Sequence, residues 1–511
     1  MSQTDQHDLA VLIRRQSPLI LLETLEEKRA VAVFEAVISQ TWRPLYQWSV
    51  ADGLTRLDLD FAEQAASDLD ATAVLRRIRK AKERSVFLLL DLHPYLKDPI
   101  NTRLLREICQ QGTVGHSVVL ISPELEALPT ALRHISVRFT LSMPDADAIE
   151  KLVKEEAYAW SRDHGGQRVT VSRNALNLLA KNLCGLTLRD ARRLARAAIF
   201  DDGAIRDSDI PEVMRAKFDL LNNSGVLSYE LETAHADEVG GLRAYRTWLE
   251  QRRVAFNRDI DLEAPKGVLL MGVQGCGKSL GARVAAHMLG IPLLRLDFGA
   301  VYNKFHGETE RNIRESLQSA SLMAPCVLWL DELEKGLATG AAEDGGTSQR
   351  VLGTVLTWMS EQRDGVFLVA TANQVHRLPP ELMRKGRFAE VFFVDLPEPD
   401  VRADILAVHL RKRHCEPSQF DLAALAMASD GFSGAELEQA VVSALYSAHA
   451  RECALNTPLL AAEMQRTKPL SVLRAEELAA LRGWAAGRAV PADASDLVGH
   501  AGPLGTLQSE A

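Results

Sequence analysis

LLMGVQGCGKSLGARVAAHML, residues 269–289, decides how this 511-residue chain is read. An apolar run ends at Gly272, Gly275 and Gly277 follow, then Lys278 and Ser279, and from Leu280 apolar residues recur at helical spacing. Gly272-Val273-Gln274-Gly275-Cys276-Gly277-Lys278-Ser279 fits G-x-x-x-x-G-K-[ST] between a predicted strand and a predicted helix, the context that pattern requires. Glycines let backbone N–H groups converge on an anion, and a helix start beside them adds partial positive charge. A lysine at this place can reach β- and γ-phosphates, and the hydroxyl after it can ligate Mg²⁺. Gly272 through Leu280 are therefore expected to bind a nucleoside triphosphate, with Ser279 on the metal. Cys276 reads as loop filler, although a helix start can lower a thiol pKa. A plain glycine-rich turn is the bland alternative, and a second motif argues against it.

That motif is CVLWLDELEK, from Cys326 to Lys335. A strand ending in Asp331-Glu332 would carry both carboxylates to the sheet's C-terminal edge, where ligands of α/β sheets lie. Asp331, 53 residues after Lys278, can hold a water of the Mg²⁺ shell, and Glu332 can polarise an attacking water. A solvated strand end would look similar if it stood alone. A third strand ends VATAN, and the Asn373 amide could hold that water, although asparagine also suits an ordinary turn.

Working outward, GVLLMG, PLLRLDF, CVLWLDE, VFLVATAN and VFFVDL alternate with helical patterns between residues 261 and 397. Such alternation predicts a parallel sheet covered by helices. Past Pro399 the strands stop and helices follow, one opening at Ser433 with Glu436 three residues on, a capping-box pattern. RAVPADASDLVGHAGPLGTLQSEA, small and Gly/Pro-bearing, reads as a flexible tail. The first 220 residues repeat the plan faintly. SPLILLET, SVFLLLDLH and SVVLISPE read as strands, residues 128–153 line up with 378–406, and GLTLRDARRLARAAI echoes GFSGAELEQAVVSAL. One architecture used twice is the inference.

Composition narrows the function classes. A net charge of −9 argues against duplex nucleic acid as the main partner, which needs a basic face. The run Arg76-Arg77-Ile78-Arg79-Lys80 reads as a solvated helix face. Six scattered cysteines suggest neither disulfides nor zinc and suit a reducing cytoplasm. No apolar run reaches the roughly 20 residues a membrane span needs.

With these residues in hand, the stretch from Asp237 to Trp484 resembles the AAA branch of the AAA+ ATPases. The resemblance implies an ATP- and Mg²⁺-dependent ATPase working in a homo-oligomeric ring, a hexamer, on a protein client. It implies adenine packing by Val239 and Gly240 in DEVGGL, and a pore loop at Phe305, His306 and Gly307, where His306 replaces the family's apolar residue. MRKGRF is similar to the arginine-finger region, placing Arg384 or Arg387 against a neighbour's γ-phosphate. At the start of GFSGAELE the branch has a small residue, here Ala435. The WLDELEK strand, the HGETE loop and a first half without a phosphate loop resemble a divergent AAA family known from plastid and cyanobacterial open reading frames.

The expected fold is α/β: a degenerate AAA+-like unit over 1–220, a parallel-sheet P-loop body over 221–398, a helical lid over 399–488 and a tail over 489–511. The first unit should not take ATP, because TLEEKRAV follows its first strand with no glycine and with Glu23, Glu26 and Glu27 where phosphates would lie. Asp91 survives there without a neighbouring glutamate, and His93 reads as a strand-end residue. The expected output is remodelling or threading of a protein. An ATP-gated switch that pulls on nothing is the alternative, and a nucleic-acid machine ranks third.

Overall fold

Each half of the chain builds one mainly parallel sheet, and the two sheets share the order of their first five parallel strands. The computed structural model describes residues 3–39, 43–58, 69–110, 115–123, 125, 128–200, 203–222, 225–231, 239–256, 264–298, 309–337, 347–361, 365–384 and 386–493. The chain forms two units, Met1–Ile210 and Pro211–Ala511. The division falls just inside the helix Ile210–Leu221, whose far end packs with the second unit. Leu221 accepts a hydrogen bond from Ser319, and Phe218 packs on Tyr229 at 5.6 Å.

In the first unit β1 (Leu19–Glu23), β2 (Leu45–Ser49), β3 (Gly53–Arg56), β4 (Val86–Leu90), β5 (Ser117–Ser122) and β6 (Ser136–Phe139) lie in the order β3-β2-β4-β5-β1-β6. Only β3 runs antiparallel, against β2. A two-stranded pair, β7 (Thr170–Val171) and β8 (Ala204–Ile205), stands apart. In the second unit β9 (Leu227–Glu230), β10 (Gly267–Gly272), β11 (Leu293–Leu296), β12 (Cys326–Leu330), β13 (Val366–Ala372), β14 (Glu390–Val394) and β15 (Val490–Pro491) give β15-β14-β10-β13-β12-β11-β9, with only β9 antiparallel. Counting parallel strands along each unit, both sheets read second, third, fourth, first, fifth, and the second sheet adds β15 as a sixth. That shared order carries the duplication further than the sequence echo did.

The apolar runs form strands because helices cover both faces of each sheet, which removes any need for polar alternation. β10, β12 and β13 are buried at every residue, as are β4 and β5. The hairpin β2–β3 was not foreseen. Its strands mix polar residues with the buried Leu45 and Trp48, and the Asp52-Gly53 turn was the only sharp signal. Among the described residues no helix is long and apolar enough to cross a membrane. The basic run at residues 76–80 does lie on a helix face, with Ile78 turned inward and Arg79 paired to Glu107 at 2.9 Å.

Residues 490–493, expected to belong to a flexible tail, are ordered. Val490 and Pro491 pair with Phe392 and Phe393, Ala492 is buried and exchanges hydrogen bonds with Tyr245 and Phe393, and Asp493 accepts the Arg243 N–H at 3.2 Å. Small and Pro-bearing residues suit this edge, where a strand needs only one bonded side.

The loop after the first strand separates the two units. In the second unit five residues, Val273 to Gly277, join β10 to the helix Lys278–Leu289. In the first unit only Thr24, Leu25 and Glu26 join β1 to the helix Glu27–Ile38. Glu23 and Glu27 face solvent, whereas Glu26 turns inward. Its carboxylate accepts the Leu188 N–H at 2.6 Å, at the start of the helix Leu188–Phe200, and pairs with Arg29 at 2.7 Å. Arg29 also donates to the Ser142 carbonyl at 2.6 Å and lies 3.5 Å from Asp5. The echoing helix in the second unit, Gly434–Ala450, is tied to its loop differently: Ala435 N–H donates to the Gly275 carbonyl at 3.0 Å. The first unit thus supplies its own anion at a place where the second presents glycine backbone.

Removing that anion leaves Arg29 short of a partner in a nearly buried site. Glu26→Ala should destabilise the first unit by about 3 kcal/mol, read as a lower urea midpoint. A loss below about 1 kcal/mol would equate the cluster with a surface ion pair.

Candidate nucleotide-binding site

β10, β13 and β12 are adjacent, so the segments leaving their C-terminal ends meet at one edge of the sheet. After β10 the loop passes through Gly275 (φ 80°) and Gly277 (φ 94°), both in the left-handed region that side chains resist. A Cβ on Gly275 would also come within 3.0 Å of Ala435 on the lid helix. The helix begins at Lys278, whose side chain is buried and donates to the carbonyls of Gly272 and Val273 at 3.0 and 2.7 Å. Burial pushes this ammonium down to about 8. Two carbonyls are its bonded partners, and a phosphate would supply the anion that they do not. Gln274 and Ser279 are exposed, and Leu280 is half-buried against the core. Cys276 departs from the helix-start expectation: burial raises its thiol to about 12, so it stays protonated.

β12 stops at Leu330, and Glu332 takes a positive φ of 50°. The Thr371 hydroxyl on β13 accepts the Glu332 N–H at 3.0 Å and donates to Asp331 at 2.8 Å. Asp331 also lies 3.5 Å from the Ser279 hydroxyl, and its second oxygen accepts from Arg295 at 3.0 Å. The Arg295 guanidinium stands 4.7 Å over the Trp329 ring. Glu332 accepts from the Asn373 side-chain amide at 3.2 Å and pairs with Lys335. Glu334, 5% exposed, accepts the Asn373 N–H at 3.0 Å through one oxygen, and its other oxygen has no hydrogen bond among the described residues. A cavity of about 850 Å³ opens here, bounded by Gly272–Gln274, Glu332 and Asn373.

Lys278, Ser279, Asp331, Glu332 and Asn373 are thus brought together. Thr371, Arg295 and Glu334 were missed by the sequence reading. Arg295 had a signal, a single basic residue interrupting an apolar strand, and Glu334 had another, a third carboxylate in DELE. Thr371, inside VATAN, had none.

Other expected residues lie further off. Val239 is buried, and a Cβ on Gly240 would meet Ile405 of the lid helix Pro399–Arg411 at 2.7 Å, so this stretch presses on the lid. Arg384 is exposed and has no side-chain partner among the described residues. Arg387 donates to the Leu356 carbonyl and the Ser360 hydroxyl of the helix Thr347–Glu361 in its own chain. Phe305, His306 and Gly307 lie outside the described residues. In the first unit Asp91 is exposed with φ 49°, a kink like that at Glu332, and His93, expected at a strand end, instead opens the 3-10 turn His93–Lys97 and bonds Ser122 at 2.8 Å.

Comparison with known proteins bears on this geometry. Residues 268–396 match the family described as ATPase family associated with various cellular activities (AAA). Residues 5–141 match the N-terminal domain of SpoVK-like AAA ATPases, and residues 147–224 match their second domain. The chain is 32% identical over 488 residues to the uncharacterized AAA domain-containing protein ycf46 of Guillardia theta, covering 94% of each chain. It is 30% identical over 485 residues to the ycf46 protein of Pyropia yezoensis, covering 94% of this chain and 97% of that one. The proteasome-activating nucleotidase of Aeropyrum pernix is 31% identical over 301 residues, covering 55% of this chain and 70% of that one. A phosphate loop on one of two matching sheets, with relatives aligned along nearly the whole length, places the chain in the AAA ATPase family, beside the ycf46 proteins.

Proposed function

We propose that the second unit binds ATP with Mg²⁺ and hydrolyses it to ADP and phosphate. The observation that carries this reading is the convergence of Lys278, Ser279, Asp331, Glu332 and Asn373 just beyond the C-terminal ends of three adjacent strands, with Glu332 and Asn373 lining the cavity beside them. Backbone N–H groups of Val273 through Ser279 would cradle the phosphates, with Leu280 continuing the helix behind them and Val239 and Gly240 against adenine. Ser279 would ligate Mg²⁺ directly and Asp331 through water, and the metal would supply positive charge at the β- and γ-phosphates. The residues fit these groups. The loop has the two left-handed glycines a close phosphate approach needs, and its lysine is desolvated without a bonded carboxylate. Glu332, steadied by Asn373, would accept a proton from the attacking water, and Lys278 would hold charge on the γ-phosphate.

The wider reading is a homo-oligomeric ring, hexameric, in the cytoplasm, in which a neighbour's arginine completes the site and a protein client is threaded past Phe305. The relative named as a proteasome-activating nucleotidase supports a protein client. Arg384 is the better finger, because it is exposed and uncommitted whereas Arg387 braces a helix of its own chain.

Lys278→Ala should weaken ATP binding about 100-fold in calorimetry. Glu332→Gln should keep that affinity and slow phosphate release by about 10² or more. Parent-rate turnover in Glu332→Gln would remove its assignment as the base. Arg384→Ala should cut turnover about 10³-fold with nucleotide affinity unchanged. Arg387→Ala should instead cost about 1–2 kcal/mol of stability. The reverse pattern would exchange their roles.

A further inference from the structure

The cavity beside Glu332 has a second wall. It is built by the short helix Leu470–Leu473 and the helix Ala475–Ala485, and Arg474 stands at their junction. The cavity lining contains the carboxylates Glu332, Glu334 and Glu477, and a triphosphate entering it would add further negative charge. Lys335, a cation of the same wall as Glu332, is already committed to that carboxylate. Arg474 is held far more loosely, by Glu477 at 3.4 Å with both side chains at least half exposed. Its guanidinium can therefore leave that partner for a phosphate at small cost.

The placement of Arg474 is fixed from two sides. The phosphate loop is joined to the lid by Ala435 N–H on the Gly275 carbonyl. Glu436, one residue on, caps its own helix through Ser433 and also accepts the Leu470 N–H at 2.7 Å. Leu470 in turn accepts the Arg474 N–H at 2.8 Å. On the other side, Arg482 forks onto Asp395 at 2.8 Å, and Leu481 and Trp484 pack against Met271 and Phe393 of the sheet. Arg474 thus sits between a segment fastened to the loop and a segment fastened to the sheet. It is unlike Arg377 across the cavity, which belongs to the turn after β13 and is tied to no lid element.

We propose that Arg474 contacts the γ-phosphate from within the same chain and so distinguishes a nucleoside triphosphate from a diphosphate. This rests on the ATPase reading above. A charge-assisted bond made only with the terminal phosphate strengthens triphosphate binding and leaves diphosphate binding alone.

The test is calorimetry of ATP and ADP, each with Mg²⁺, on the full chain carrying Glu332→Gln. Arg474→Ala should weaken ATP about tenfold, leave ADP within about twofold, and keep the melting temperature, since its one ion pair is exposed. Arg474→Lys should recover part of the loss, and Arg377→Ala should leave the ATP-to-ADP ratio as it was. An unchanged ratio in Arg474→Ala, or the loss appearing in Arg377→Ala, would overturn the inference while leaving the ATPase reading intact. A parent chain that binds neither nucleotide would bring down both.

Discussion

The Thr371 hydroxyl accepts from the Glu332 N–H and donates to the Asp331 carboxylate, and the rest of the site is aimed from that pair of bonds. Successive residues on a strand face opposite sides of the sheet, so two adjacent carboxylates would ordinarily diverge. Here β12 ends at Leu330, and the chain turns through a left-handed conformation at Glu332. A non-glycine residue in that conformation is strained and persists only where its surroundings hold it. With the turn held, Asp331 faces Ser279 and Arg295 while Glu332 faces Asn373 and Lys335. One oxygen of the central strand therefore sorts the two acids into separate neighbourhoods.

The two units show how little of the architecture depends on the chemistry. Both sheets share the order of their first five parallel strands, both have a positive φ at the exit of the third parallel strand, and both tie a lid helix to the loop after the first. What differs is three residues against five in that loop, and carboxylate against glycine. Glu26 satisfies the helix start and Arg29 within the chain, so the first unit stays joined without any small molecule. The second unit's tie uses a backbone carbonyl and leaves the buried Lys278 without a carboxylate bonded to it.

Much of this was legible in the residues. Buried parallel strands advertise themselves as unbroken apolar runs, so the strands of the second sheet, from β10 to β14, stood out, and the phosphate loop was evident from glycines before Lys278. The capping box at Ser433 and Glu436 was readable for the same reason: its bonds are local. The illegible parts depend on distant partners. Nothing near Glu26 announces Leu188, 162 positions away. Nothing near Pro491 announces an open edge on β14. Thr371 looks like any strand threonine until β12 is laid beside it, and Arg295 has no evident role until Asp331 stands opposite.

The strand β15 returns the chain to the sheet that it left after β14 to form the lid helices. Those helices are therefore moored at both ends, like a door hung on two pins rather than a flag on one pole. Between the two moorings Ala435 is bonded to Gly275 and Arg482 to Asp395, so any shift of the segment pulls at once on the loop after β10 and on the exit of β14.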